Sequence, residues 1–255
     1  MSLFSELCGA VRTDRTLGDT IVAREVDSTN LLARRLVDEL AAMGESCRSL
    51  SVFAVEQTAG RGRLGRDWSS LAGLGVYVSL LRCLPRRRLE WLPMAVPVAL
   101  VECLREHFSC AAAIKWPNDV LVGGKKLGGV LIESAMVDGA TAAIIGFGLN
   151  HGHRPDQMPT PLATSLRQEI ESLPALGEVA TALARAVTER VARSGDSALV
   201  ADYRHLSVHT PGDRVQCRIA RATLEGAFVG FDDLGHLRLE VAGEEQIIAS
   251  GEIVE

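Results

Sequence analysis

The sequence predicts an α+β protein: a mixed, largely antiparallel sheet flanked by helices, then a small C-terminal β-barrel. Three observations carry this. Short β-forming runs at 51–57, 75–81, 112–115, 120–122, 127–134 and 140–149 are joined by brief polar or glycine-containing segments. Helical periodicity is concentrated in a few segments, chiefly after Asp27 and over 176–193. Beyond Thr210-Pro211-Gly212-Asp213 the pattern changes to four short alternating strands. This change divides the chain into 1–206, expected to hold the chemistry, and 207–255, the barrel.

In chain order, 1–19 reads as a short leading helix and turn, leaving no room for an N-terminal DNA-binding domain. Asp27-Ser28-Thr29-Asn30 precedes a helix with Leu31, Leu32, Leu36, Val37 and Leu40 on one face. Ser28 suits an N-cap, and a helix start also presents free N–H groups and hydroxyls to a ligand. The strand 51–57 delivers Glu56 and Gln57 into a glycine-rich loop, and 75–81 is the next strand. Arg86-Arg87-Arg88 reads as a solvated turn. Residues 89–108 read as a helical hairpin or kinked helix, because Pro93 and Pro97 disturb a helix interior. Gly123-Gly124 turns one strand into another. The proline-rich stretch 151–163 is a loop, in which His151 and His153 lack a third metal ligand. Helices at 176–193 and 196–206 lead to strands at 214–219, 225–231, 236–241 and 246–250.

Composition excludes several function classes. A chain of 255 residues with 47% hydrophobic content buries a sizeable core. Its net charge of −5 argues against general nucleic-acid affinity. The amino terminus lacks a secretory signal, and apolar runs such as 94–101 are too short to span a bilayer. Six scattered cysteines without a CxxC pair predict reduced thiols, no zinc site and a cytoplasmic location.

The loop Gly60-Arg61-Gly62-Arg63-Leu64-Gly65-Arg66-Asp67-Trp68 is the most distinctive stretch. Glycines let a backbone approach a ligand, and arginine forks suit phosphate or carboxylate oxygens. Gly60, Gly62 and Gly65 satisfy GxGxxG, but no helix pattern follows and no acidic residue stands about 20 residues on. The Walker pattern also fails, because Arg66-Asp67 follows Gly65. Only three of 27 basic residues are lysines, Lys115, Lys125 and Lys126, and all fall in one short stretch. That placement suggests a task needing a compact ammonium on a flexible stem.

Five motifs occur together in register. They are Ser28-Thr29-Asn30, Gln57 with the Gly60–Trp68 loop, Lys115-Trp116-Pro117-Asn118-Asp119, Lys126-Leu127-Gly128-Gly129 and Gly146-Phe147-Gly148-Leu149-Asn150. Over roughly 25–150 the chain thereby resembles biotin–protein ligases, and the C-terminal barrel matches that family in position and size.

The resemblance implies a core like that of class II aminoacyl-tRNA synthetases and an SH3-like barrel. It implies an ATP-dependent, AMP-forming ligase that makes biotinyl-5′-AMP and transfers biotin to a lysine of a biotin carboxyl carrier domain, with Mg²⁺. Lys126, Arg61, Arg63 and Asp119 would be catalytic. Ser28, Thr29, Asn30, Gln57, Arg61, Gly62, Arg63, Lys126, Gly128, Gly129, Gly146 and Gly148 would bind biotin. Arg63, Arg66, Trp68, Lys115, Asn118, Lys126 and Asn150 would bind ATP, with Trp68 stacking on adenine. Leu64 stands where some members carry arginine. The absence of a domain ahead of Ser28 predicts no DNA-binding role, and the resemblance leaves a homodimer open. A lipoate–protein ligase and a non-catalytic biotin- or nucleotide-binding regulator are the alternatives.

Overall fold

A computed structural model describes residues 11–137, 140–193, 198–220 and 222–254. Eight strands form one mixed sheet in the order β1-β2-β3-β4-β8-β7-β6-β5. These are β1 (Val11–Asp14), β2 (Gly18–Val26), β3 (Leu50–Gln57), β4 (Gly75–Cys83), β5 (Ala112–Lys115), β6 (Asp119–Val122), β7 (Lys125–Val137) and β8 (Ala140–Asn150). Only β2 and β3 pair in parallel, as their helical crossover requires; the other pairs are antiparallel.

That crossover is α1 (Thr29–Ala42), which buries Leu32, Ala33, Leu36, Val37 and Leu40. They meet Ile21, Leu50, Val52, Leu81 and Ile144 on one face of the sheet. The helix ends at Met43, and Gly44 at φ 67° supplies the left-handed turn beyond it. A short α2 (Arg86–Leu89) occupies the stretch expected as a turn.

The opposite face carries α3 (Leu92–Phe108), α5 (Leu176–Arg193) and α6 (Ala198–Leu206), with a short α4 (Leu166–Glu169) between α3 and α5. Pro97 lies inside α3, yet the helix is one continuous element. The cost of an interior proline, about 3 kcal/mol, is outweighed by burial of Leu92, Met94, Val96, Val98, Leu100, Val101 and Leu104. Each such side chain contributes about 1.5–3 kcal/mol when buried. No helix among the described residues is long and apolar enough to cross a membrane.

Five further strands form an antiparallel sheet in the order β12-β11-β10-β9-β13. They are β9 (Arg214–Ile219), β10 (Ala222–Phe231), β11 (Leu237–Val241), β12 (Glu244–Ile248) and β13 (Glu252–Val254). Its side chains Val215, Phe228, Phe231, Leu237 and Ile253 belong to the same hydrophobic cluster as α3 and α5. The three-residue β13 is absent from the sequence expectation, being too short to show alternation.

Two other expectations need correcting. The leading helix is not seen over 11–14: Val11–Asp14 is a strand, paired from Val11↔Ile21 to Asp14↔Gly18. Pairing along the free edge of β2 satisfies that backbone, and such a partner leaves no local periodic signal. The start of the predicted leading helix and the first residues of the 196–206 helix lie outside the described residues.

The reading of six reduced thiols fails at Cys47 and Cys83, which form a disulfide across Cα atoms 6.0 Å apart. It ties the segment after α1 to the end of β4, 36 residues on, so no short cysteine spacing announces it. Cys103, Cys110 and Cys217 are buried free thiols. Reduction of Cys47–Cys83 is expected to destabilise the fold by about 2–4 kcal/mol through the loop it closes. Thermal unfolding with and without reductant, with Cys47→Ser/Cys83→Ser as reference, checks this: the reduced protein should melt like the variant.

Candidate functional site

The glycine loop, the start of α1 and the facing ends of β6, β7 and β8 surround a cavity of about 140 Å³. One end is a closed polar network. Ser28 is the N-cap of α1 by position, but its hydroxyl makes no capping bond. Gln57 Oε1 accepts from the Thr29 N–H at 2.8 Å and lies 3.2 Å from the Thr29 hydroxyl. Gln57 Nε2 donates to Ser70 Oγ at 2.9 Å. The Ser79 hydroxyl stands 2.5 Å from Asn30 Oδ1 and 2.8 Å from Thr29 Oγ1. Asn30 Nδ2 donates to Glu133 Oε2 at 2.8 Å. Ser28, Thr29 and Asn30 are all buried, so this network is preorganised rather than solvated.

The other end is cationic. Lys126 Nζ lies 2.8 Å from Asp119 Oδ1. A one-residue bulge places it there: β7 skips from Gly128 opposite Val120 to Lys126 opposite Leu121, leaving Leu127 without a β6 partner. Arg63 donates to Asn118 Oδ1 at 3.1 Å, and Asn118 Nδ2 in turn donates to the Val130 carbonyl at 2.9 Å. Burial lowers the basicity of Arg63, with Asp119 and Glu252 acting in the opposite sense. Arg61 faces Glu133 at 3.6 Å. Arg66 grips Glu252 of β13 with both terminal guanidinium nitrogens, a bidentate pair.

Trp68 lies between the two ends. An added Cβ at Gly148 would stand 2.7 Å from its ring, and one at Gly129 would stand 3.6 Å away. Lys126 Nζ sits 5.7 Å from the ring centroid. The indole N–H is buried without a hydrogen-bond partner among the described residues. A second, larger cavity of about 840 Å³ shares the Trp68, Lys126 and Asp119 wall and extends past Asn150 to Pro159, Thr160 and Leu162.

The chain is 32% identical over 262 residues to a biotin–(acetyl-CoA-carboxylase) ligase of Mycobacterium tuberculosis, covering 99% of this chain and 94% of that one. The chain belongs to the biotin protein ligase family. The profile of the Biotin/lipoate A/B protein ligase family matches residues 24–150, the stretch that holds all five motifs. The bifunctional ligase/repressor BirA of Bacillus subtilis is 31% identical over 259 residues, covering 92% of this chain and 74% of that protein. The biotin protein ligase of Aquifex aeolicus in complex with biotin and ATP superposes with a TM-score of 0.74. It is 27% identical, covering 92% of this chain and 97% of that one.

Against this family background, most of the sequence-identified residues converge on the small cavity: Ser28, Thr29, Asn30, Gln57, Arg61, Gly62, Arg63, Asn118, Gly129, Gly146 and Gly148. Arg66, Trp68, Lys115, Asp119 and Lys126 line both cavities. Asn150 lines only the larger one, where its Nδ2 donates to the Thr164 carbonyl at 2.9 Å. Gly128 lines neither: an added Cβ would stand 2.7 Å from the Gly148 carbonyl oxygen, so its small size serves the approach of β7 to β8. His151 and His153 are buried, His151 is bonded to the Pro174 carbonyl, and burial lowers the pKa of both.

Four residues of the site escape sequence reasoning: Ser70, Ser79, Glu133 and Glu252. Ser79 alone leaves a readable trace, as a polar side chain in the fully buried run Val76-Tyr77-Val78-Ser79-Leu80-Leu81. Glu252 stands outside any motif and reaches the loop only because β13 pairs with β9.

The Arg66 guanidinium is the largest influence holding the Glu252 carboxyl below its ordinary range. A depressed carboxylate stabilises its pair above the unfolded value and loses that contribution as pH falls through the lowered one. Both side chains are partly solvent-exposed, which weakens the effect. Tryptic cleavage within Arg61–Arg66 cannot follow such acidity, so pepsin and amide exchange serve instead. The loop amides of 61–66 are expected to exchange faster as pH falls below the ordinary carboxyl range, after correction for intrinsic rates, and Glu252→Gln should abolish that pH step.

Proposed function

We propose that this chain activates biotin with ATP and passes the acyl group to a lysine of a biotin carboxyl carrier domain. A biotin carboxylate oxygen attacks the α-phosphorus, the bond to pyrophosphate breaks, and biotinyl-5′-AMP forms. The carrier amine then attacks the acyl carbon, AMP leaves, and the amine proton is lost. The observation that carries this reading is the polarity of one continuous cavity, with a neutral hydrogen-bonding end at 28–30 and 57, braced from behind by Ser79, and a cationic end at Lys126 and Arg63.

A cyclic urea offers two N–H donors and a carbonyl to Ser28, Thr29, Asn30 and Gln57. A dithiolane offers none, and burying it there would leave several polar groups unpaired, at about 1–3 kcal/mol each. That difference favours biotin over lipoate. Trp68, with Gly148 beneath it, is assigned to the wall beside the bicyclic ring, with its other surface toward the adenylate. Its unpartnered N–H is a donor that a ligand oxygen can satisfy.

In the first step two anions meet. Lys126, released from Asp119, bridges the biotin carboxylate and the α-phosphate, where charge develops. Arg61, Gly62 and Arg63 close over the ligand and exclude water from the mixed anhydride. Arg66, Lys115, Asn118 and Asn150 are assigned to the nucleotide. Asp119, freed by the same exchange, orients the carrier amine and takes up its proton.

No group of three or more His, Cys, Asp or Glu side chains that could hold a metal is present among the described residues. This donor set suits Mg²⁺ entering on the ATP phosphates, with Asp119 as the carboxylate that would help hold it. There the ion would neutralise phosphate charge. On the family likeness we also infer a class II synthetase-like core, an SH3-like C-terminal barrel, and a division between 1–206 and 207–255.

The test is direct. Purified protein with biotin and Mg·ATP should release pyrophosphate in a single turnover and then label a carrier domain. Absence of both products sinks the assignment. Calorimetric competition with lipoate should leave the biotin isotherm unchanged.

A further inference from the structure

Glu133 belongs to none of the motifs, yet its side chain reaches both Asn30, at the urea end of the cavity, and Arg61, in the loop above it. Oε2 accepts from Asn30 Nδ2 at 2.8 Å, and Oε1 lies 3.6 Å from Arg61 Nη1. We propose that Glu133 is a positioning residue that couples the glycine loop to the urea end of the pocket. One carboxylate oxygen sets the orientation of the Asn30 amide, and the other holds Arg61. The inference rests on the biotin reading above and deepens it.

The first half follows from donor and acceptor chemistry. An ionised carboxylate only accepts hydrogen bonds, so it requires the NH₂ side of the Asn30 amide to face it. The Leu131 carbonyl, 3.3 Å from the same nitrogen, reinforces that choice. Oδ1 is thereby turned toward Ser79 and the Gly146 cradle, where an added Cβ would stand 2.2 Å from it. Asn30 thus shows an acceptor to the pocket, the polarity needed for a urea N–H. A flipped amide would offer a donor there and repel it.

The second half follows from placement. Arg61 sits in the glycine loop, where its backbone bridges to Asp67, and Glu133 sits in β7, paired with Ile144 of β8 in the sheet. The charge pair therefore ties a loop to a rigid element at the point that also fixes Asn30. Its length marks it as an ion pair rather than a hydrogen bond, so charge is what it transmits.

Two variants separate the two jobs in the full chain. Glu133→Gln keeps an oxygen for Asn30 but loses the charge for Arg61; Glu133→Ala loses both. Without ligand, Glu133→Gln should speed tryptic cleavage after Arg61, Arg63 or Arg66 at least threefold, with an unchanged melting temperature. Its biotin Kd should stay within threefold of wild type, while release of the adenylate accelerates about tenfold. Glu133→Ala should in addition raise the biotin Kd at least tenfold. Measured by adenylate release, Glu133→Gln added to Arg61→Ala should produce no further change.

Unchanged cleavage and release in Glu133→Gln, or full additivity with Arg61→Ala, overturns the coupling. Equal biotin affinity in the alanine variant overturns the role at Asn30. If wild type bound no biotin, the functional reading would fall, while the ligand-free cleavage ratio would still judge the Glu133–Arg61 link.

Discussion

Lys126→Ala is expected to slow pyrophosphate release from biotin and Mg·ATP by about 10²–10³-fold while leaving the protein folded. The ammonium sits beside Asp119 on the wall common to both cavities, the only lysine so placed apart from Lys115. Removing it leaves two approaching anions with one fewer preorganised positive charge. The side chain is over a third exposed, and the local backbone bonds, Lys126 N–H to Leu162 and the Lys126 carbonyl from Thr164, survive the change. The melting temperature should therefore move by no more than a few degrees. Lys125→Ala is the control, since Lys125 is exposed and lines neither cavity. Single-turnover pyrophosphate assays on the three proteins decide it. A Lys126→Ala rate within threefold of wild type would remove Lys126 from the chemistry.

Gly146→Ala should raise the biotin Kd at least tenfold, about 1.4 kcal/mol, without abolishing adenylate formation at saturating biotin. The new Cβ would stand 2.2 Å from Asn30 Oδ1, far inside contact distance. Asn30 cannot swing away cheaply: it is 3% exposed and held by Ser79, Leu131 and Glu133. Nor can the strand shift, because Gly146 is paired with Ser79 on one side and Leu131 on the other. The amide must rotate or move, and either breaks the acceptor proposed for the urea. Calorimetry checks the affinity. A Kd within threefold of wild type would mean that Asn30 does not contact biotin.

Much of the scaffold was legible because its signals are local. The apolar spacing of Leu32, Leu36, Val37 and Leu40 defines α1, with Leu31 of the expected face only half-buried, and the amphipathic pattern of 176–193 matches α5 residue for residue. Gly123-Gly124 marks its hairpin, both residues adopting positive φ. Elements whose existence depends on a distant partner were not legible. β1 exists by pairing with β2, β13 by pairing with β9, and α3 runs through Pro97 because both sides of it are buried.

The same division runs through the site. By itself the sequence determined the cast: an arginine–glycine loop, a lysine confined to one stretch, a Ser-Thr-Asn helix start and glycines late in β8. These are side chains whose chemistry is written in their own identity and spacing. Only the tertiary structure decided how they are held. The β7 bulge aims Lys126 beside Asp119, Ser79 and Glu133 orient Asn30, and Glu252 arrives from the C-terminal sheet to take Arg66. Cys47 and Cys83 likewise meet only because α1 and β4 pack side by side. Hydrogen bonds and ion pairs act over about 3 Å, and which residues come that close is a property of strand order, not of sequence separation.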